Sequence, residues 1–471
     1  MRHSASWWWM GLVVALAVRL TWLANIQVPP AVEQLGQSLF SQDASSSAIA
    51  QPDDQRQESP REGSCGRDDA VSLPWAGRYL ICPLVREVCR RTSTTGLRLN
   101  WYWVLGAWQA LLQSLAVAGL TVVAWRLFGH RLLTSLMLLA ASCYPPALLQ
   151  LISVSDLPLI GCLFANWLAL ALATSSTGGV FAPACIGLLS GSLVIVRPGW
   201  ALAIVLVTVW YLWRLRRVWQ GWLASLILVL ALANMVGTWC IRHWLQTGEP
   251  VPFAAGFWRG LAEGLPSSGN ENGERPSESS HWRVLARKVV GTWMQHPRDC
   301  VQHRLQLWAD VLVGEPVYEF GCPAIARSSQ NHSQPARDQS KDARLRVGNA
   351  AEPTPGMQPS DTVTPSRPPT VAVKAIPAPR WAHPALAAGL LPIIRCLFWL
   401  AVALGWRWSF RLPWPHWPIS ASIGSVLLAY GFGSYDTLHW GVAAVEPVLL
   451  LYAVFALTAW TPGILRMASG E

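Results

Sequence analysis

Charge is scarce in this chain: Asp, Glu, Lys and Arg make up 13% of its 471 residues, about half the share of an ordinary soluble domain. A single water-soluble globule is therefore not expected. None of the ten cysteines forms a Cys-x-x-Cys pair, so neither a zinc site nor a thiol-redox motif is expected. Asp53-Asp54 and Asp68-Asp69 have no nearby histidine or third oxygen ligand, so we expect no obligatory metal and no cofactor. The net charge of +10 is not gathered into one stripe, which argues against a nucleic-acid partner. No small-residue cleavage site closely follows the first apolar segment, Trp7 to Asn25. It reads as an uncleaved helix, with Arg19 near its far end where the side chain can reach lipid headgroups.

Apolar residues fill the space that charge leaves. Hydrophobic residues make up 52% of the chain and tryptophans number 29. A bilayer is what makes successive helices of about 20 apolar residues necessary. The fold class expected is an all-α polytopic membrane protein of about ten transmembrane helices with two long non-cytoplasmic loops. Residues 1–25 hold the first helix, 26–99 a first outer loop, 100–240 helices two to seven, and 241–326 a second outer loop with interfacial helices. Residues 327–380 read as a disordered insertion, rich in Ser, Pro and Gln, and 381–471 as helices eight to ten. Within this scheme the third span is Leu132 to Leu151, the seventh Trp219 to Cys240, the eighth Leu386 to Leu404 and the tenth Val445 to Trp460. Cys65, Cys82, Cys89, Cys300 and Cys322 fall outside the membrane, leaving room for one or two disulfides if that side is oxidising.

Ten spans place both termini on one side. Arg126, His130, Arg131, Arg214, Arg216, Arg217, Arg407, Arg411 and Arg466 all fall on that side, which the positive-inside rule makes cytoplasmic. The expected location is the plasma (inner) membrane. Both long polar regions, Asp156 and Arg197 then face the opposite compartment, as an active site built at one membrane surface would require.

Several short motifs recur in a definite order: Arg126-Leu127-Phe128-Gly129-His130-Arg131, Cys143-Tyr144-Pro145-Pro146, Ser155-Asp156-Leu157-Pro158, Gly187 to Arg197-Pro198, and Trp239-Cys240-Ile241-Arg242-His243, with His439 to Val445-Glu446-Pro447 near the end. This order resembles the integral-membrane GT-C glycosyltransferases, in the bacterial branch related to protein mannosyltransferases and to the transferases that add aminoarabinose to lipid A. The resemblance runs from about Arg19 to Trp460, the insertion apart. It implies transfer of a sugar from a polyprenyl-phosphate carrier to a lipid, glycan or protein acceptor at the outer face. Such chemistry needs cations at the interface for the phosphate and a carboxylate to take the acceptor's proton.

The resemblance points to Asp43, before Ile49-Ala50, as general base, although the tyrosine of that setting is replaced by the run Ser45-Ser46-Ser47. Asp53, Asp54, Asp68 and Asp69 are the other loop acids, and all five also fit a merely solvated loop. Asp156 stands where the family commonly has glutamate, and a carboxylate before Leu157-Pro158 equally suits a helix N-cap. Arg197 fits either a phosphate ligand or an interfacial anchor. Arg242 and His243 open the large loop with the same two readings. His439 is a further phosphate-binding candidate, while Trp440 and Gly441 occupy positions where the family has a cation and a tyrosine. Two readings of other classes stand beside the transferase. A lipid-linked sugar transporter would show charged residues at mid-bilayer, and a catalytically inactive scaffold of the same fold would show no chemistry at all.

Overall fold

The computed structural model describes residues 2–25, 82–94, 100–152, 155–174, 181–215, 221–247, 258, 261–262, 265, 282–313, 384–409, 417–431 and 435–459. Among them there is no strand. The helices are α1 (Arg2–Asn25), α2 (Cys82–Thr94), α3 (Trp101–Phe128), α4 (Arg131–Ser142), α5 (Pro145–Leu149), α6 (Leu157–Thr174), α7 (Phe181–Val196), α8 (Ala201–Leu215), α9 (Gly221–Thr247), α10 (Trp282–Gln295), α11 (Pro297–Val313), α12 (Pro384–Ser409), α13 (Trp417–Gly431) and α14 (Tyr435–Ala459). Tight turns of 3-10 helix follow α5 at Gln150–Ile152 and precede α8 at Pro198–Trp200.

Four segments are long and apolar enough to cross a membrane: Ser4–Asn25, Trp101–Phe128, Leu157–Thr174 and Gly221–Arg242. Five shorter apolar helices of 10–17 residues accompany them. Large apolar side chains point outward along several: Val13 is 62% exposed, Trp222 68% and Leu397 59%. In water such a surface would drive association, whereas in lipid tails it costs nothing, so the exposed faces mark the chain as a membrane protein.

Helix α3 lies at the centre. Small residues let its neighbours approach: a Cβ on Gly119 would meet the Ala165 backbone of α6 at 2.7 Å, and one on Gly11 of α1 would meet Thr121 Oγ1 of α3 at 2.9 Å. With little hydrophobic drive between helices in lipid, this backbone proximity and its van der Waals contact hold them together. The same device joins α7 to α9, where Gly187 faces the Leu228 backbone and Gly191 faces Met235. The glycine spacing before Arg197 thus has a packing role.

Contacts between helices fix their relative directions. Arg19 meets Gln113 and Leu23 meets Gly106, so α1 and α3 are antiparallel. Gln109 reaches the Ser155 carbonyl and Asn166 the Leu115 carbonyl, so α3 and α6 are parallel. Continuing through Trp167–Ser190, Gly187–Leu228, Tyr144–Glu446, Gly405–Tyr452 and Tyr430–Gly441, α1, α4, α7, α9 and α13 run one way. Helices α3, α6, α8, α12 and α14 run the other. The ends that carry Asn25, Asn100, Asp156, Arg197 and Gly431 therefore share one face, and Arg126, Arg131, Arg214 and Arg407 share the opposite one.

Several boundaries differ from those expected. The third span is broken: α4 stops at Ser142 after 12 residues, about 18 Å of rise, and Pro145 starts a new short helix. Helix α9 runs on to Thr247, so Arg242 and His243 extend a helix instead of opening a loop. Helix α14 begins at Tyr435, ten residues before the expected start, and encloses His439 and Glu446. One turn follows sequence chemistry directly: Gly129 adopts φ 62°, and its N–H bonds the Trp125 carbonyl at 2.9 Å. That left-handed residue closes α3, and glycine adopts it without steric cost.

Candidate functional site

Asp156 and Arg197 meet. Asp156 lies immediately before α6, its backbone carbonyl accepting the Ile160 N–H at 2.9 Å, while the Leu157 N–H is taken by Ser155 Oγ at 3.1 Å. Arg197 joins α7 to the Pro198–Trp200 turn, with extended backbone at φ −149°, ψ 105°. The turn is pinned by Trp200, fully buried with its ring 4.3 Å from that of Phe164 on α6. That anchor brings the end of α7 over the start of α6, and Arg197 Nη2 sits 3.4 Å from Asp156 Oδ2. Asp156 is fully buried, whereas the Arg197 side chain keeps 30% exposure, so the pair has an inner carboxylate and an outer cation.

A third group completes the pair's wall. A Cβ on Gly199 would meet the Tyr430 ring at 2.6 Å, and Tyr430 feels the charges of both Arg197 and Asp156. Gly441 of α14 receives the other side of Tyr430, so a glycine at that place makes room for a tyrosine from α13. Helix α11 closes over this corner, with Trp308 against Gly431 and Val311 packed with Leu438 and Val442. On α11, burial and then the Arg304 charge lower the His303 pKa from its usual 6.5. Burial also lowers Arg304 to about 10, and it pushes the Cys300 thiol up. On α2, hydrogen bonds from Arg90 and Arg91 hold Glu87 at about 2. That carboxylate is solvent-facing, so the shift carries little stability.

The other expected site residues divide. Asp43, Asp53, Asp54, Asp68 and Asp69 lie outside the described residues. The α7–α9 register places Arg242 at the same height as Arg197, where it is exposed. His243 and His439 lie within α9 and α14. Among the described residues no group of three or more His, Cys, Asp or Glu could hold a metal ion.

A second polar cluster was not foreseen. Glu446 of α14 is 6% exposed. It accepts a hydrogen bond from the Tyr144 hydroxyl at 2.6 Å and pairs with Arg395 of α12 at 3.2 Å. Glu446 and Arg395 each stand eleven residues inside their helices, about 16 Å along the axis, so α12 and α14 carry a buried ion pair. Arg19 likewise departs from its expected role as an anchor. It is 1% exposed, and its guanidinium donates to Gln113 Oε1 at 3.0 Å and to the carbonyls of Ala15, Ser142 and Ala141 at 3.3, 3.4 and 3.2 Å. Two of those acceptors are the unpaired last carbonyls of α4, so Arg19 caps a helix that ends inside the bundle. The signal for this was present in Cys143-Tyr144-Pro145-Pro146, since consecutive prolines stop a helix and leave such carbonyls behind.

Fold and site together define an all-α membrane protein with an ion pair at one end of its bundle and a charged network within it. The chain matches no protein-family model, and neither a curated protein nor a solved structure matches it.

Proposed function

We propose that this protein is a membrane glycosyltransferase that moves a sugar from a polyprenyl-phosphate carrier to a lipid, glycan or protein acceptor at the non-cytoplasmic face. In this reading the chain crosses the plasma membrane ten times, with both termini in the cytoplasm. One observation carries it: Asp156 and Arg197, 41 positions apart in the sequence, meet at the helix ends that share a face, with the cation turned outward. A carrier phosphate needs a cation at the headgroup level, and guanidinium matches phosphate oxygens in pairs. Asp156 fixes the guanidinium from behind, a positioning role. Asp43 takes the acceptor's proton as the acceptor oxygen or nitrogen bonds to the anomeric carbon and the carrier phosphate leaves with the bond electrons. Arg242, His243 and His439 are further phosphate contacts.

Sugar transfer in isolated membranes from a radiolabelled polyprenyl-phosphate sugar tests the proposal. Arg197→Gln and Asp43→Asn should each lower transfer about a hundredfold or more. Wild-type activity in Asp43→Asn would reject Asp43 as the base. No transfer by the wild type would reject the reading and favour the inactive scaffold.

The buried pair Arg395–Glu446 favours a second reading, a transporter of lipid-linked sugar, because intramembrane charges commonly mark transport paths. Movement of the labelled lipid across proteoliposomes without sugar transfer would support it.

A further inference from the structure

Arg19 has more positive charge than its surroundings cancel. Among the described residues no carboxylate pairs with it, and the C-terminus of α4 supplies only about half a negative charge. Glu446, the acid of the buried network, is already engaged by Arg395 and Tyr144. Of the five N–H groups on a guanidinium, four are used, leaving one on Nη2.

Arg19 also borders a space. A cleft of about 50 Å³ lies among α1, α3, α5, α6 and α14, with Arg19, Gln113, Tyr144 and Gln150 as its polar lining and Gly161 and Ala443 among its small walls. Its other walls, Leu157 and Leu450 among them, are apolar. That volume holds about three or four water molecules, or the oxygens of one anionic group, and it is too small for a hexose. Leu157 and Pro158 line it directly after Asp156, so the cleft lies deeper in the bundle than the Asp156–Arg197 pair and is separate from it.

We infer that this cleft is a binding site for a single anionic oxygen group, phosphate or carboxylate, held by Arg19 with the remaining amide N–H of Gln113. The inference stands apart from the transfer reading, since it needs neither Asp43 nor Arg197. The group arrives either as a lipid headgroup or as a free ion.

The full chain in phosphatidylcholine nanodiscs separates these sources. One arm adds phosphatidylglycerol, and the other adds inorganic phosphate at constant ionic strength. The readout is the unfolding temperature, because a ligand of the folded state raises it with concentration. A rise of several degrees is expected in at least one arm, the lipid arm identifying a headgroup and the phosphate arm a free ion. Ala443→Phe fills the cleft, so it should abolish the rise while retaining the unfolding temperature seen in phosphatidylcholine alone. Arg19→Gln should abolish it as well, with a lower starting stability because α4 loses its cap. No rise in either arm, or a rise that survives Ala443→Phe, would overturn the inference.

Discussion

Glu446 is the acid on which the interior of the bundle depends. Taking a carboxylate and a guanidinium out of water is costly, and the pair persists because each satisfies the other while Tyr144 takes a second carboxylate oxygen. Removing one partner leaves the other as a lone buried charge. Arg395→Ala should therefore destabilise the protein by about 3–5 kcal/mol, and the double replacement Arg395→Met with Glu446→Gln should recover most of that loss. Unfolding in detergent, followed by tryptophan fluorescence, would check this; a double variant as unstable as the single one would contradict it. These residues could not be read from sequence because Arg395 is one cation within an apolar segment. Nothing local pairs it with a glutamate 51 positions away. Asp156 and Arg197 were legible because each precedes a proline at the edge of an apolar segment, where polar side chains stand out. Arg19 was visible but misplaced, since a snorkelling arginine and one that caps a broken helix look alike until the neighbouring helix end is known.

Among the elements, apolar length locates helices and Gly129 or Pro158 sharpens an end, but the expected bounds of the third, seventh, eighth and tenth spans each miss one end by five residues or more. Two of these failures share a cause. Helices α9 and α14 continue through polar residues such as Arg242 and Asp436, and hydrogen bonding along a helix does not stop where hydropathy falls. Helix α11 carries the pH dependence. Its His303 has a folded pKa lowered below 6.5 by burial and Arg304, so the unfolded chain binds more protons across that interval and stability rises with pH through it. The docking of α10 and α11 should loosen as pH falls below about 6.5. Faster amide exchange at Asp299 to Leu312 in mild acid, absent in His303→Gln, would show this; equal exchange in both would count against it.

The molecule as a whole alternates helix direction along the chain, so every polar junction discussed belongs to one of two faces. Single cysteines in a background with the native ones replaced can map them with a membrane-impermeant thiol reagent. Cysteines at Gly129 and Arg214 should react only from the cytoplasmic side, and cysteines at Asn100 and Gly431 only from the other. Mixed labelling within either pair would dismantle the proposed topology and the transfer reading that rests on it.

The guanidinium that seals the broken helix is delivered by α1, and α1 leaves the ribosome before α4 does. The acceptors are thus made after their donor. The cation that the last carbonyls of the short helix need is therefore already present in the chain when that helix is made.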